Sequence, residues 1–290
     1  MIKQGIIKKT IDRRTFQIGI NIYIILCTIF CLIPLFVTIL NSLKSNENII
    51  LSIFGFTISG SATAENYTLA FNAIKTYFFR TIILSLIGAT VDVMLGALLA
   101  YIFSFKEFPG KNFFFMMFIS VMLLPSIMGM PILLPLVKDI LHLADSEFLS
   151  YIGYLLPNFA GGQVTALFLF KTFFSQQPKD IYESARIEGA NDLTIFFKIT
   201  FPLAFPIILF QFVGIFTSLY NDYLWPSLLF NTDYTTLMPI LVKQQTVFSN
   251  LSQSGATYAM YMLSSIPLII ASIISMKHFV GGDFASGMKL

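Results

Sequence analysis

Charge is what this chain has least of. Asp, Glu, Lys and Arg make up 11% of its 290 residues, against about 25% in an ordinary soluble domain. So sparse a set cannot cover a water-facing surface, which excludes a soluble globular protein. Cysteine is almost missing. Cys27 and Cys31 stand four apart in an apolar run, and two thiols alone in hydrocarbon make a poor metal site; they read as small packing residues. The two histidines, His142 and His278, fall on opposite sides of the membrane expected below, so no metal cluster and no cofactor is implied. The phosphate-loop pattern GxxxxGK[ST] does not occur, so nucleotide hydrolysis has no place here. There is no low-complexity run, no repeat of 20–50 residues and no likeness between halves.

What the chain does have is apolar length. Hydrophobic residues make up 56% of it, 32 of them Phe, and the mean hydropathy is +0.78. Residues 18–40 carry no charge and are long enough to cross roughly 30 Å of hydrocarbon as a helix. A cleaved signal would have a shorter apolar core of about 7–15 residues and a small-residue cleavage site, so this is an uncleaved first span. Five more blocks follow at about 78–103, 113–137, 148–174, 201–219 and 257–279. The expectation is an all-α, multi-pass membrane protein of six transmembrane helices: a tail at 1–17, a membrane domain at 18–279 and a second tail at 280–290. Six spans put both termini on one side. Thirteen Lys and Arg lie on that side and five opposite, so both termini are expected to be cytoplasmic in the plasma membrane.

Some spans carry residues that break helices. Pro125, Gly129, Pro131 and Pro135 fall in the third; Pro157, Gly161 and Gly162 fall in the fourth, beside Asn158 and Gln163. Backbone groups freed there need neighbours or water in a cavity. Asp92 lies deep in the second span, where a carboxylate is costly and faces the protein interior. Asp92, Asn158 and Gln163 therefore line a translocation path, or they bond neighbouring helices to hold the bundle; the residues alone leave both open.

The largest loop on the expected cytoplasmic side, residues 175–200, holds the sequence YESARIEGAND at 182–192. Pro178 suits a first helical turn, and Asp180 and Glu183 complement the helix dipole there. Ser184, Ala185 and Gly189 offer a small-residue patch that another backbone could approach. Gly189 allows a left-handed stop, and Asn191 or Asp192 can cap the next helix. Helix, elbow, helix along the membrane face describes either a grip for another protein or an ordinary solvated loop.

This stretch resembles the EAA motif of ABC-importer permeases: Glu-Ala-Ala, three residues, Gly, nine residues, Ile-x-Leu-Pro. Here the order is Glu183-Ser184-Ala185, then Gly189, then Ile199-Thr200-Phe201-Pro202, with the spacing kept and Ser184 and Phe201 departing. More of the chain is similar to the carbohydrate branch, the maltose-type second permease. The similar segments are Ala100–Lys111, Asn221-Asp222-Tyr223-Leu224-Trp225-Pro226 with Tyr220 in place of the usual Trp, Thr236–Pro239, and the end around Gly282 and Gly287-Met288-Lys289. Arg80-Thr81 departs from the branch's Asn-Ser.

The resemblance implies a type I importer permease fold that does no chemistry itself. It implies four partners: a second permease, a cytoplasmic ABC ATPase dimer, an extracytoplasmic solute-binding protein and a sugar substrate; nucleic acid is not among them. Glu183, Ser184, Ala185, Gly189, Ala190 and Asp192 would couple to the ATPase. Tyr220, Asn221, Asp222 and Trp225 would form a gate near the outer mouth. The alternative is a self-contained transporter driven by an ion gradient, which predicts more than one acid deep in the membrane.

Overall fold

The computed structural model describes residues 2–51, 53–55, 62–231 and 233–280. The described part is helical throughout, in the chain order α1 Ile2–Ser42, α2 Asn46–Leu51, α3 Ala62–Phe105, α4 Lys111–Met122, α5 Ser126–Pro135, α6 Glu147–Gly161, α7 Gln163–Phe174, α8 Lys179–Ile187, α9 Asp192–Ile195, α10 Phe201–Leu203, α11 Phe205–Tyr220, α12 Leu224–Leu229, α13 Leu237–Asn250 and α14 Ser254–Val280. Among the described residues, four helical segments are long and apolar enough to cross a membrane: Phe16–Ser42, Ala64–Phe105, Phe205–Leu229 and Ser254–Lys277. A fifth candidate is the pair Lys111–Met122 and Ile127–Ile140, bent by 96°. The block at 148–174 is divided into α6 and α7 at Gly162.

Local sequence explains these breaks and continuities. The run from Ala62 to Phe105 has no proline, and α3 continues through it. It takes in residues 62–77, which precede the second apolar block expected from the sequence. That extra length is amphipathic: Asn66, Ala70 and Ile74 recur every four residues and are buried. Pro125 ends α4 and opens α5 with an extended ψ of 125°. Pro131 and Pro135 each remove a backbone donor, and α5 relaxes into a π turn at Leu136–Ile140. α1 begins at Ile2, so the segment expected as a tail enters the first span as one helix. Of the expected C-terminal tail, residues 281–290 lie outside the described residues, together with Gly282 and Gly287-Met288-Lys289.

The chain divides into two compact units. The first combines Met1–Ala73 with Gln244–Leu263. Its centre is a polar knot in which the Asn66 amide donates to the carbonyls of Ser42 (3.1 Å) and Lys44 (2.9 Å). The Gly255 amide donates to Asn46 Oδ1 at 2.9 Å, and a Cβ at Gly255 would strike Asn66. The apolar stretch of α1 is uncovered within the protein.

The second unit combines Ile74–Lys243 with Ser264–Leu290. It holds two apolar cores. One is built from Val93, Ala97, Tyr101, Phe170, Phe174 and Phe196 with their neighbours. The other surrounds Leu84, Tyr154, Leu219 and Trp225. At Gly96 the backbones of α3 and α7 meet so closely that a Cβ would run into Ala166. Small residues are the means by which membrane helices gain dispersion contact.

Candidate functional site

The loop at 175–200 folds as the spacing of its residues requires. α8 ends in a Schellman motif. The Gly189 amide donates to Arg186 O and the Ala190 amide to Ala185 O, each at 3.0 Å. Gly189 takes φ +85°, the left-handed conformation that a side chain disfavours. Asn191 then caps α9, its Oδ1 accepting from the Thr194 amide at 2.8 Å.

Asp192 does other work. Its carboxylate accepts from Lys106 Nζ at 2.6 Å and from the Tyr101 hydroxyl at 3.3 Å, and lies 3.8 Å from Arg186. The Lys106 hydrogen bond, ahead of the nearby cationic charge, holds its carboxyl below the usual carboxylate range. The elbow is thereby tied to the C-terminal end of α3.

α8 is seated through Tyr182. The ring lies 4.2 Å from Phe105 between centroids, and the hydroxyl donates to Gln177 Oε1. Burial pushes the phenol up to about 12, so it stays a neutral donor. The small residues divide between two tasks. Ala185 and Ala190 pack against the chain's own core, whereas Glu183, Ser184 and Gly189 are exposed. Two apolar residues that sequence reasoning passed over stand outward on this surface, Ile187 at 88% exposure and Leu193 at 64%. Their signal was an apolar residue on the polar side of an amphipathic helix.

A second feature is a cavity of about 780 Å³ walled by α4–α5, the α6–α7 junction and the α11–α12 turn. Asn158, Asp222 and Trp225 line it, as expected of a path, and so do Thr165 and Ser218, which the sequence did not single out. The turn Asn221–Tyr223 closes α11 and starts α12, where Asp222 Oδ1 accepts from the Trp225 amide at 3.4 Å. Trp225 is 4% exposed and, among the described residues, its indole N–H has no partner.

Four other expected path residues stand apart from the cavity. Tyr220 is buried and donates to Ser264 O at 2.8 Å. Gln163 donates to Ala160 O at 3.1 Å, and its Oε1 has no partner among the described residues. Asp92 is 1% exposed and lies directly under Gly162, with Oδ1 unpartnered among the described residues. Asn221 is exposed at the end of α11.

The described fold thus carries two features, a cavity walled by broken helices and a helix-elbow-helix with outward apolar residues. Residues 92–281 match the family described as binding-protein-dependent transport system inner membrane component, and the chain belongs to that family. It is therefore a multi-pass component of an ABC transporter in the plasma membrane, which displaces the ion-coupled alternative.

The chain is 26% identical over 283 residues to the arabinooligosaccharides transport system permease protein AraQ of Bacillus subtilis (strain 168), covering 94% of this chain and 96% of that one. It is 29% identical to the inner membrane ABC transporter permease protein YcjP of Escherichia coli (strain K12), covering 97% and 98%. Its fold is similar to a chain in the crystal structure of a bacterial ABC transporter involved in the import of the acidic polysaccharide alginate, with TM-score 0.77, 21% identity, and 92% and 97% of the two chains covered.

Proposed function

We propose that this chain is one of two permease halves that import a sugar or oligosaccharide, coupled through α8 to a separate cytoplasmic ATPase. The carrying observation is the surface around α8, with exposed Glu183 and Ser184, outward Ile187 and Leu193, and the left-handed elbow at Gly189. Exposed apolar side chains beside an acid suit a partner groove rather than a solvated loop. The other face of α8 and its elbow are fastened to α3 by Tyr182–Phe105 and Asp192–Lys106. A pull on α8 therefore reaches the helices around the cavity, provided the ATPase grips differently in its two states.

The sugar assignment is supported by relatives named for arabinooligosaccharides, diacetylchitobiose and maltodextrin. The proposal includes six spans with both termini cytoplasmic, an extracytoplasmic binding protein that delivers solute, and a second permease that closes the open side of the cavity.

The test is to purify the tagged chain gently from its own membranes, identify what accompanies it, and repeat this with Gly189→Asp. The expected result is an ATPase and a second permease with the wild type. With the variant, the chain remains in the membrane but the ATPase is lost and ATP-dependent uptake falls at least tenfold. A lone chain that still transports, or a variant with normal uptake and normal ATPase recovery, refutes the reading.

A further inference from the structure

Three membrane-capable helices of the second unit leave a groove between them. Its walls are residues 78–86 of α3, 209–216 of α11 and 266–274 of α14, and its volume is about 410 Å³. It shares no lining residue with the cavity described above. Every side chain that lines it is apolar, so a hydroxylated solute would find no partner, and an unpaired hydroxyl is costly to bury. Leu86, Ile270 and Ile274 are partly exposed, so the groove opens onto the surface that the spans present to their surroundings. It is also preformed. One turn beyond Phe216, the Tyr220 hydroxyl donates to Ser264 O at 2.8 Å and ties α11 to α14. Pro267, which lines the groove, lacks the N–H that would reach back along α14.

Length separates the apolar occupants. Phe78 and Leu86 are eight residues apart, as are Ile266 and Ile274, which is about 12 Å at the helical rise. The hydrocarbon core is about 30 Å thick, so one leaflet takes about half of that. The groove is therefore one leaflet long. A spanning helix of a neighbouring subunit, about 20 residues, overruns it, whereas a single acyl chain fills it.

Charge marks one end. Lys75 stands three residues ahead of Phe78, on the same helical face as Phe78, Ile82 and Leu86. It is exposed and has no ion-pair partner among the described residues. It lies just ahead of the apolar block that opens at residue 78, the level at which a lipid phosphate meets the spans. Lys277 stands beyond Ile274 at the other end, but it interrupts an apolar run that continues to Val280.

We infer that this groove holds one acyl chain of an anionic phospholipid whose phosphate pairs with Lys75. Ammonium and phosphate form a charge-assisted bond, and a lysine beside the membrane surface favours anionic headgroups. The site goes beyond solute transport and does not depend on which solute is carried.

The experiment uses the complete transporter reconstituted in phosphatidylethanolamine vesicles. The probes are phosphatidylglycerol and phosphatidylcholine, each carrying a photoactivatable diazirine on one acyl chain. Mass spectrometry of the digested chain reads which peptides are labelled. The expected result is that phosphatidylglycerol labels the peptides containing residues 78–86 and 266–274 at least fivefold more than phosphatidylcholine does. Ala271→Trp, which fills the groove, should lower that labelling at least fivefold and leave labelling elsewhere unchanged. Lys75→Gln alters an exposed side chain, so folding is not at stake; it should bring phosphatidylglycerol down to the phosphatidylcholine level, while Lys277→Gln should not. Equal labelling by the two probes in the wild type shows an ordinary lipid annulus and overturns the inference. So does labelling that Ala271→Trp leaves intact, or a headgroup preference lost in Lys277→Gln instead of Lys75→Gln. Groove peptides that carry no lipid and cross-link to the second permease make the groove a protein interface and also overturn it. None of these outcomes touches the sugar-permease reading, which is judged by uptake.

Discussion

Arg80 Nη2 lies 3.1 Å from Glu147 Oε1, joining the N-terminal half of α3 to the first turn of α6. The same guanidinium donates to the carbonyls of Asp233 and Thr235, both at 3.2 Å, and stands 5.7 Å from the ring centroids of Tyr77 and Tyr151. Next to it, Thr81 Oγ1 accepts from the Leu237 amide at 2.7 Å. Arg80-Thr81 replaces the branch's Asn-Ser, and both side chains pin the segment that leads into α13.

The ion pair should matter less than the pin. Glu147 is 54% exposed, and a pair open to solvent contributes about 0–1 kcal/mol. Arg80 is 15% exposed, and its removal leaves two carbonyls without their donor, at about 1–3 kcal/mol, and loses the ring contacts. Glu147→Gln should shift the unfolding midpoint in detergent by a degree or less, while Arg80→Ala should lower it severalfold more. Equal shifts would show that the ion pair, not the backbone pin, holds this corner.

Gly189 has open space around it: a Cβ there would meet nothing within 4 Å. Within this chain its restriction is therefore the backbone angle, which valine tolerates poorly and asparagine tolerates better; Gly189→Asp differs in adding a negative charge at the surface proposed to meet the ATPase. Gly189→Asn should keep more than half of wild-type uptake per ATP hydrolysed. Gly189→Val should lose at least about tenfold, with normal amounts in the membrane. Uptake that follows side-chain volume instead would contradict the role of the angle.

Asp192 sets a pH expectation. Its carboxyl is held below the ordinary value of 3.8 by Lys106. A depressed acid contributes stability that is present above its unfolded value and is lost as pH falls through the folded one. The elbow tie is thus complete at neutral pH and should fail only in strong acid. The pair is half exposed, so salt should weaken it. Cross-linking yield between cysteines placed in α8 and at the end of α3 should stay flat from about pH 8 to about pH 5, and Asp192→Asn should lower it at every pH. A yield that falls near neutrality would assign the tie to another group.

Gly162 is required for space, not angle: its φ of −63° is ordinary helix, but a Cβ would collide with the Asp92 carboxylate. Gly162→Ala should destabilise the second unit by about 1–3 kcal/mol through overpacking. Asp92→Ala added to it should recover part of that loss, because residues in contact do not act additively. Melting temperatures of the two single variants and the double variant give the coupling; simple additivity would place the collision elsewhere.

Much of this molecule was legible before any coordinates. The apolar blocks could be read because a helix must match the hydrocarbon thickness with consecutive residues. The elbow could be read because Pro178, Gly189 and Asn191 act on their own local backbone. The length of α3 was missed because residues 62–77 are polar enough to pass for a loop, while the every-fourth burial of Asn66, Ala70 and Ile74 covers only one face.

Sequence by itself therefore determined a membrane protein with a helix-elbow-helix at a charged loop, since those follow from composition and from neighbours within a turn or two. Tertiary structure decided which side chains meet. It turned Asp192 onto Lys106, placed Asp92 beneath Gly162, sent Tyr220 to Ser264, and gathered Asn158, Thr165, Ser218 and Asp222 around one cavity. Those partners lie tens of residues apart, and no local periodicity encodes them; only the packing of helices brings them together.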